Sequence, residues 1–339
     1  IAPPVIGEPA AGVVISAVAE GNSLAHALVV WPTDPDQLPS ASSLVALLDA
    51  LPTEVVRLPR RESWSDRIDF HAEGAATALP QLRDEILALT AELKRLLSSA
   101  PVGPVVATHG DFYEANIFTM HGRASALIDV DSVGPGRRDD DLACLLGHVA
   151  VLPHLSPEHY AGVAEIVEEW RYDFERRVHP VSLRARTASV ILSLVAGTDT
   201  PTALARLDLA VVLALHALDV DVEVELAHAR DDGLGRLLVA VHAERRIFLG
   251  EAVERLREVR GRRAFLRLHG QRDHRVRHVH RGHRDEHVAV GERVARGALD
   301  AEERDDVAGL RGLDVVHLVA VHAHDAGDLH ALLLVAAVD

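Results

Sequence analysis

The stretch His109-Gly110-Asp111-Phe112-Tyr113-Glu114-Ala115-Asn116 decides how the rest of this chain is interpreted. It follows Val105–Thr108, a short apolar run that is typical of a buried strand. A strand that ends in a glycine-containing loop would deliver the side chains of His109 and Asp111 to the end of the strand. Asn116 comes five residues after Asp111, where the next predicted strand begins.

Two further apolar runs, Ile117–Thr119 and Ala126–Val130, are close enough in sequence to form a hairpin. Asp129 stands at the end of the second run, so the hairpin would bring its carboxylate near Asp111 and Asn116. Two carboxylates and an amide oxygen form an all-oxygen set of ligands that suits Mg²⁺. Such a site could hold a metal ion against nucleotide phosphates and leave one carboxylate to receive a hydroxyl proton.

Three more motifs follow in order, namely Ile128-Asp129, Gly134-Pro135-Gly136 and Asp141-Leu142-Ala143. Together with the loop, this ordered set resembles the aminoglycoside phosphotransferase and choline kinase-like family, a branch of the protein-kinase-like fold. The resemblance implies an α+β fold and an ATP-dependent kinase. Its cofactors would be ATP and Mg²⁺, and it would move the γ-phosphate to a hydroxyl of an aminoglycoside, an amino alcohol or a sugar-like molecule.

The resemblance also implies roles for the residues that match the family motifs. Asp111 would be the catalytic base that orients the acceptor hydroxyl. Asn116 and Asp129 would be the Mg²⁺ ligands. His109 would support the loop, and Asp141 would anchor it from the following helix.

Taken one at a time, these residues have plainer interpretations. His109-Gly110-Asp111 alone is more typical of a turn whose Asp is satisfied locally. Asp139 and Asp140 alone indicate the start of a helix, where carboxylates complement the helix dipole. Glu114 either faces a cationic substrate or is a solvated loop residue. The ordered set as a whole therefore favours a kinase, whereas no single residue does.

Residues that bind the acceptor are expected on the helices after Asp141. Tyr160 and Trp170 could stack on a cation or a sugar, and core packing is the alternative for both. The net charge of −16 agrees with a cationic acceptor and disfavours a nucleic-acid surface, which needs Lys and Arg beside the phosphates. The alternative function is a catalytically inactive kinase-fold protein or a module that only binds a small molecule.

The resemblance places residues 1–27 at the end of an amino-terminal lobe and at its hinge. The hinge backbone that would hydrogen-bond adenine comprises Ser16, Ala17 and Val18. Such kinases hold the nucleotide phosphates with a lysine on an early strand. The only lysine here is Lys94, on the predicted helix Leu79–Ser98. We therefore expect most of the amino-terminal lobe to be missing from this chain and its phosphoryl transfer to be weak.

Residues 28–202, with residue 215 as an alternative end, are expected to form the carboxy-terminal lobe of the kinase-like fold. Strands that come before most of the helices indicate an α+β order. The helices predicted from apolar spacing and proline positions are Ser40–Leu51, Leu79–Ser98, Asp140–Val151, Pro157–Arg177 and Val181–Ala196.

The remainder, residues 216–339, is predicted to be a low-complexity tail. The stretch 203–339 contains no Ser, Thr, Pro, Asn or Lys, although helix caps and turns depend on several of these residues. The hypothesis for this tail is translation of GC-rich DNA in a shifted frame or from the opposite strand. The alternative is metal binding by a group of histidines, namely His274, His278, His280, His283 and His287.

Bulk properties exclude a few classes of protein. The single cysteine, Cys144, excludes an internal disulfide framework and favours the reducing cytoplasm. No run of 18 apolar residues and no signal peptide is present, so no membrane partner is predicted. The predicted partner is a small-molecule substrate, and the sequence does not indicate an oligomeric state.

Overall fold

The computed structural model describes residues 1–6, 15–229 and 251, with side chains in the last helix described up to residue 219. This part of the chain is mostly helical and has two small antiparallel sheets, which confirms the predicted α+β class. The helices are α1 (Leu24–Val30), α2 (Ala41–Asp49), α3 (Ile68–Ala78), α4 (Arg83–Ser99), α5 (Arg138–Leu155), α6 (Val163–Phe174), α7 (Pro180–Ser193) and α8 (Thr200–Ala229).

The strands lie around the loop on which the sequence analysis depends. A three-stranded sheet has the order β1-β3-β4, and a two-stranded sheet pairs β2 with β5. The five strands are β1 (Asn22–Ser23), β2 (Val105–Thr108), β3 (Ile117–Met120), β4 (Arg123–Leu127) and β5 (Gly134–Arg137).

The hairpin of β3 and β4 is present, but its second strand lies earlier in the sequence than predicted. The turn is His121-Gly122, and both residues have positive φ, as a two-residue hairpin turn requires. Pairing therefore begins at once between Met120 and Arg123 and ends at Ile117 with Leu127. The prediction of a strand over Ala126–Val130 was wrong because the chain leaves the sheet after Leu127.

The second sheet connects the predicted catalytic strand to the longest helix of the site. Val105 pairs with Arg137 and Thr108 pairs with Gly134, so β5 returns antiparallel along β2. Helix α5 begins directly after Arg137, which places its first turn beside the loop that follows β2. The carboxylates of Asp139 and Asp140 occupy this first turn, as the helix-start interpretation predicts.

The predicted helices are all found, with shifted ends. Ser40 caps α2 by accepting a hydrogen bond from the Ser43 N–H. Pro80 opens a short 3-10 turn before α4 rather than α4 itself. The helix predicted from Pro157 begins only at Val163, because the residues before it form turns that end at Gly162.

Two apolar clusters form the core of the part of the chain that the structure describes. One gathers side chains from α3, α4, α7 and α8, and the other gathers side chains from α1, α2, α5, α6 and the hairpin. In α4 the predicted spacing of three and four residues buries Ile86, Leu89, Leu93 and Leu96 almost completely. Each such burial contributes about 2 kcal/mol. The apolar residues of β2 and the following loop, Ala107 and Phe112, belong to the other cluster.

Helix α8 continues the same core beyond residue 215. Ala217 and Leu218 are buried in the cluster with α7, and the helix continues to Ala229. Within the described chain, Thr200–Asp219 is the one helical segment that is long and apolar enough to cross a membrane. Half of it is buried inside the protein, and core packing accounts for its apolar character.

Residues 2–6 and 15–19 belong to a separate unit from residues 20–229. In that unit Val5 and Ser16 form an antiparallel bridge, and the Ala17 N–H donates to the Pro4 carbonyl over 2.8 Å. Residues 7–14 of the predicted amino-terminal segment and the five tail histidines lie outside the described residues.

Candidate functional site

The loop after β2 is closed by hydrogen bonds to its own backbone. The Tyr113 N–H and the Asn116 side-chain amide both donate to the Asp111 carbonyl, over 3.1 and 3.0 Å. The Asn116 N–H donates to the Tyr113 carbonyl over 3.0 Å. Because its NH₂ group is used inside the loop, the amide of Asn116 is held in one orientation and its oxygen remains available as a ligand.

The residue before Asp129 is held from two sides. The Ile128 N–H donates to the Asn116 carbonyl over 3.0 Å, and the ring Nε2 of His109 lies 2.9 Å from the Ile128 carbonyl. Since a carbonyl only accepts, Nε2 carries the proton. Burial lowers the pKa of His109, so the ring is neutral at pH 7. These contacts bring Asp129 to the same edge as Asp111 and Asn116.

Asp129 itself has a left-handed backbone. Its φ is +57° and its ψ is +54°, a region that residues other than glycine seldom adopt. The turn points the chain away from β4 and into the 3-10 turn Val130–Ser132. Strained residues of this kind occur most often at functional sites, and the side chain of Asp129 is exposed.

Asp141 ties the loop to α5. Its side chain is fully buried, and its two oxygens accept the N–H groups of His109 and Gly110 over 3.0 and 2.9 Å. These two hydrogen bonds favour the ionised carboxylate, but burial outweighs them and raises the pKa of Asp141 to about 7. The resemblance predicts an anchoring role for Asp141, and these two hydrogen bonds are the contacts through which it would act.

Gly110 is the residue that lets the loop approach its neighbours. Its φ is +85°, and a Cβ atom at this position would lie 2.5 Å from the Ser132 carbonyl oxygen. Only glycine adopts this conformation without strain and fits in this space. The glycine in His109-Gly110-Asp111 therefore allows the loop to pass close to the segment that carries Asp129.

The carboxylate of Asp111 is half-buried and stands near other acidic groups. Burial, followed by the charges of Asp129 and Asp131, raises the pKa of Asp111 to about 6. Its Oδ1 atom is buried and has no hydrogen-bond partner in the described part of the chain. A carboxylate with a raised pKa and an unused oxygen is suited to accept a proton at neutral pH.

The oxygen atoms present fit a hard divalent cation. Asp111, Asn116 and Asp129 offer two carboxylates and one oriented amide oxygen, the donor set that Mg²⁺ prefers. The mutual repulsion that raises the pKa of Asp111 is relieved by a positive ion. No group of three or more His, Cys, Asp or Glu side chains that could hold a metal occurs among the described residues, and this candidate set contains only two carboxylates.

The residues predicted to contact the acceptor are placed differently from one another. Glu114 is only 7% exposed, and its Oε2 atom has no partner in the portion of the chain described. Burial raises its pKa to about 7, and Asp111 adds to this effect. Burial and the charge of Glu114 also raise the pKa of the half-buried Tyr160. Trp170 is 1% exposed and packs in the core, so the structure leaves it no surface for stacking on an acceptor.

Lys94 and the hinge residues are not part of this loop. The ammonium group of Lys94 lies on α4 and pairs with Asp69 over 2.6 Å. Ser16, Ala17 and Val18 lie in the separate amino-terminal unit, where they form part of a bridged pair of segments. Their contact with adenine stays a prediction.

Sequence reasoning missed a group of three aromatic side chains, of which one lies on the loop and two lie beside it. The Tyr113 ring lies 4.7 Å from the His148 ring, and the His148 ring lies 5.9 Å from that of Trp64. His148 follows Asp141 by seven residues, which places both on one face of α5, and this spacing was the available signal. No sequence pattern connects Trp64 to the loop, because it lies 49 residues before Tyr113.

Comparison with known proteins identifies a family. The family model described as the phosphotransferase enzyme family matches residues 20–189, half of the 339 residues. This segment contains every element from β1 to α6 and most of α7. The comparison with curated protein sequences found no match.

The comparison with solved structures gave matches to proteins of two kinds. A choline/ethanolamine kinase family protein from Mesorhizobium loti has 17% identity and a TM-score of 0.45, covering 72% of this chain and 79% of its own. A thermostable mutant of aminoglycoside phosphotransferase APH(4)-Ia, in a ternary complex with AMP-PNP and hygromycin B, has 20% identity and a TM-score of 0.38. That match covers 60% of this chain and 70% of the other. The family assignment depends on the sequence match.

Proposed function

The chain belongs to the phosphotransferase enzyme family, and we propose that it transfers the γ-phosphoryl group of ATP to a hydroxyl group of a small molecule. The observation that carries this proposal is the Asp111 carboxylate. It has a buried oxygen without a partner in the described residues and a pKa raised to about 6, and it stands beside Asn116 and Asp129. This arrangement combines a proton acceptor with a set of oxygen ligands.

In the proposed reaction Asp111 accepts a hydrogen bond from the acceptor hydroxyl and receives its proton as the phosphoryl group is transferred. Asn116 and Asp129 would hold Mg²⁺, which supplies positive charge to the phosphate oxygens. His109 keeps Ile128, and hence Asp129, in position. Asp141 keeps the start of the loop in position, and the hinge at Ser16, Ala17 and Val18 is proposed to hold adenine.

The acceptor is proposed to carry an amine. The Oε2 atom of Glu114 is buried without a partner in the described structure, and the pKa of Glu114 is raised to about 7. A buried carboxylate of this kind gains most from an opposite charge within hydrogen-bond distance. An ammonium group beside Glu114 would provide that charge, and Tyr160 stands close enough for Glu114 to affect its pKa.

A second candidate function is binding of a small molecule without phosphoryl transfer. Lys94 favours it, because the only lysine of the sequence is 52% exposed and paired with Asp69 on α4. It therefore does not act as a phosphate-holding lysine. The same ligand site would then bind the acceptor and leave ATP unused.

The experiment is a phosphoryl-transfer assay with radiolabelled ATP and Mg²⁺. Choline, ethanolamine, hygromycin B and glucose serve as acceptors. Asp111→Asn is expected to lower kcat by about 10²–10⁴-fold, the contribution of a general base, whereas the KM for ATP stays nearly unchanged. Asp84→Asn is the matched control, since it removes the same charge at an exposed position on α4 and is expected to retain transfer.

Transfer by Asp111→Asn at the wild-type rate would overturn the assignment of the base. A wild-type chain that binds one of the four compounds but transfers phosphate to none of them would support the second candidate.

A further inference from the structure

The rings of Tyr113, His148 and Trp64 contact one another in a row, which we call the stack. No step of the proposed reaction involves it. We propose that Tyr113 contacts the acceptor next to Asp111, and that His148 and Trp64 are positioning residues that hold the Tyr113 ring in place. This inference rests on the proposed function and adds a specificity-determining residue to it. It is supported by the geometry of α5, of the segment around Trp64 and of Tyr113 itself.

Helix α5 supports the loop at two points. Asp141, Cys144 and His148 are spaced by three and four residues, so they form one stripe along the helix. At one end of the stripe Asp141 accepts two N–H groups of the loop. At the other end the His148 ring lies 4.7 Å from the Tyr113 ring at an interplanar angle of 33°. The two supports therefore hold residues on both sides of Asp111.

Trp64 is fixed by its neighbours in sequence. The Ser63 N–H donates to the Asp66 carboxylate over 2.8 Å, and the Ser65 hydroxyl accepts from Arg186 over 2.6 Å. Burial raises the pKa of the Cys144 thiol, and a hydrogen bond from the Trp64 side chain acts in the opposite direction. The Trp64 ring meets the His148 ring edge-on, at an interplanar angle of 62°.

Tyr113 lies two residues after Asp111, and its backbone N–H donates to the Asp111 carbonyl over 3.1 Å. The acceptor hydroxyl must reach the Asp111 carboxylate if Asp111 is to take its proton, which brings the acceptor close to the part of the loop that carries Tyr113. Because the ring is only half-buried, part of its surface remains available for contact with the acceptor.

His148 is suited to this supporting role because it is uncharged. Burial and the nearby Arg206 guanidinium lower its pKa to about 4. A neutral imidazole packs against the phenol without repelling a cationic acceptor. Its Nε2 atom is buried and makes no hydrogen bond within the described structure, so the contact with Tyr113 depends on ring packing, which another aromatic ring can reproduce.

The first test separates acceptor binding from nucleotide binding. Tyr113→Leu and His148→Ala are assayed with choline, ethanolamine and hygromycin B. Both are expected to raise the acceptor KM about tenfold and to leave the KM for ATP within about twofold. His148→Phe, which keeps a ring in the stack, is expected to restore the acceptor KM. The controls are Tyr172→Leu, at a position 64% exposed on α6, and His154→Ala, at the far end of α5.

The second test measures binding without turnover. Trp31, Trp64 and Trp170 give three indole N–H signals in an NMR spectrum, and Trp→Phe variants assign them. The same three compounds, added with MgADP, are expected to shift the Trp64 signal in the wild-type chain. They are expected to leave it unshifted in Tyr113→Leu.

The combined outcomes distinguish this inference from the proposed function. A shifted Trp64 signal without phosphoryl transfer to any compound would remove the proposed function and keep the binding role of the stack. If Tyr113→Leu transfers phosphate with an unchanged acceptor KM, or with equal rises in the KM for the acceptor and the KM for ATP, the role of the stack would be overturned and the proposed function would stand. Neither transfer nor a Trp64 shift would overturn both.

Discussion

Replacing His148 with phenylalanine should remove an identifiable part of the acid sensitivity of this fold. Burial, reinforced by Arg206, lowers the pKa of His148 from its ordinary value of 6.5 to about 4. On acidification the unfolded chain therefore binds a proton at this histidine before the folded chain does. The stabilising contribution of neutral His148 is nearly complete at pH 7 and above, and it is lost progressively as the pH falls through 6.5 towards 4.

The magnitude follows from the two pKa values. Linkage predicts that His148 lowers the free energy of unfolding, relative to its value at high pH, by about 0.2 kcal/mol at pH 7, about 2 kcal/mol at pH 5 and about 3 kcal/mol at pH 4. Phenylalanine keeps a ring between Tyr113 and Trp64 and binds no proton. The raised pKa of Glu114 acts on stability in the opposite direction, so the difference between variant and wild type, rather than either profile alone, reports on His148.

The assay is urea unfolding followed by circular dichroism at pH 7.5, 6 and 5. The stability of His148→Phe relative to the wild type is expected to rise by about 2 kcal/mol between pH 7.5 and pH 5. His26→Phe, at an exposed position on α1, serves as the control and should show a far smaller change. A difference between His148→Phe and the wild type that stays constant with pH would refute the reasoning.

Three further changes probe the loop and its ligands. Gly110→Ala places a Cβ 2.5 Å from the Ser132 oxygen at a φ of +85°, whereas Gly197→Ala meets only the strain of a φ of +78°. We expect Gly197→Ala to lower the free energy of unfolding by about 1 kcal/mol and Gly110→Ala to lower it by clearly more. Equal losses would contradict the close approach of Gly110 to Ser132. Asp141→Asn turns one oxygen acceptor into an NH₂ donor opposite a buried N–H, and should lower the free energy of unfolding measured in urea by about 2–4 kcal/mol. An unchanged midpoint urea concentration would contradict the anchoring role of Asp141. Mg²⁺ at about ten times its Kd should stabilise the wild type by about 1.4 kcal/mol in a thermal melt, and an equal gain in Asp129→Asn would argue against Asp129 as a ligand.

The fold around the site was predictable from sequence where the signals were local. The apolar runs on both sides of the loop identified β2 and the hairpin, and the three-and-four spacing of leucines identified α4. The hydrogen bonds of Asn116 within its own loop also arise from residues close together in the chain. The order of the family motifs then predicted a role for Asp141, although it lies 31 residues after Gly110 in the sequence.

Contacts between distant segments were not predictable in the same way. The position of Trp64 beside His148 depends on Arg186, which binds Ser65 from a helix 121 residues later in the chain. The burial of Trp170 depends on how α6 packs against α2 and α5. The sequence of an amphipathic helix does not show whether an aromatic side chain packs in the core or faces a ligand. β4 starts early because His121 and Gly122 both have positive φ, the backbone conformation of a two-residue hairpin turn.

The carboxylates of the site oppose the stability of the fold that positions them. Burial raises the pKa of Glu114 from 4.5 to about 7, so its contribution to stability is present below pH 4.5 and is lost as the pH rises to 7. This loss amounts to about 3 kcal/mol, and the nearby charge of Asp111 is part of its cause. The anchoring of the loop by Asp141 and the packing of α5 must outweigh that cost. A cation next to Glu114 or Asp111 would recover part of it, so the free energy that the fold loses by crowding acidic groups becomes available for binding a metal ion and an amine-bearing acceptor.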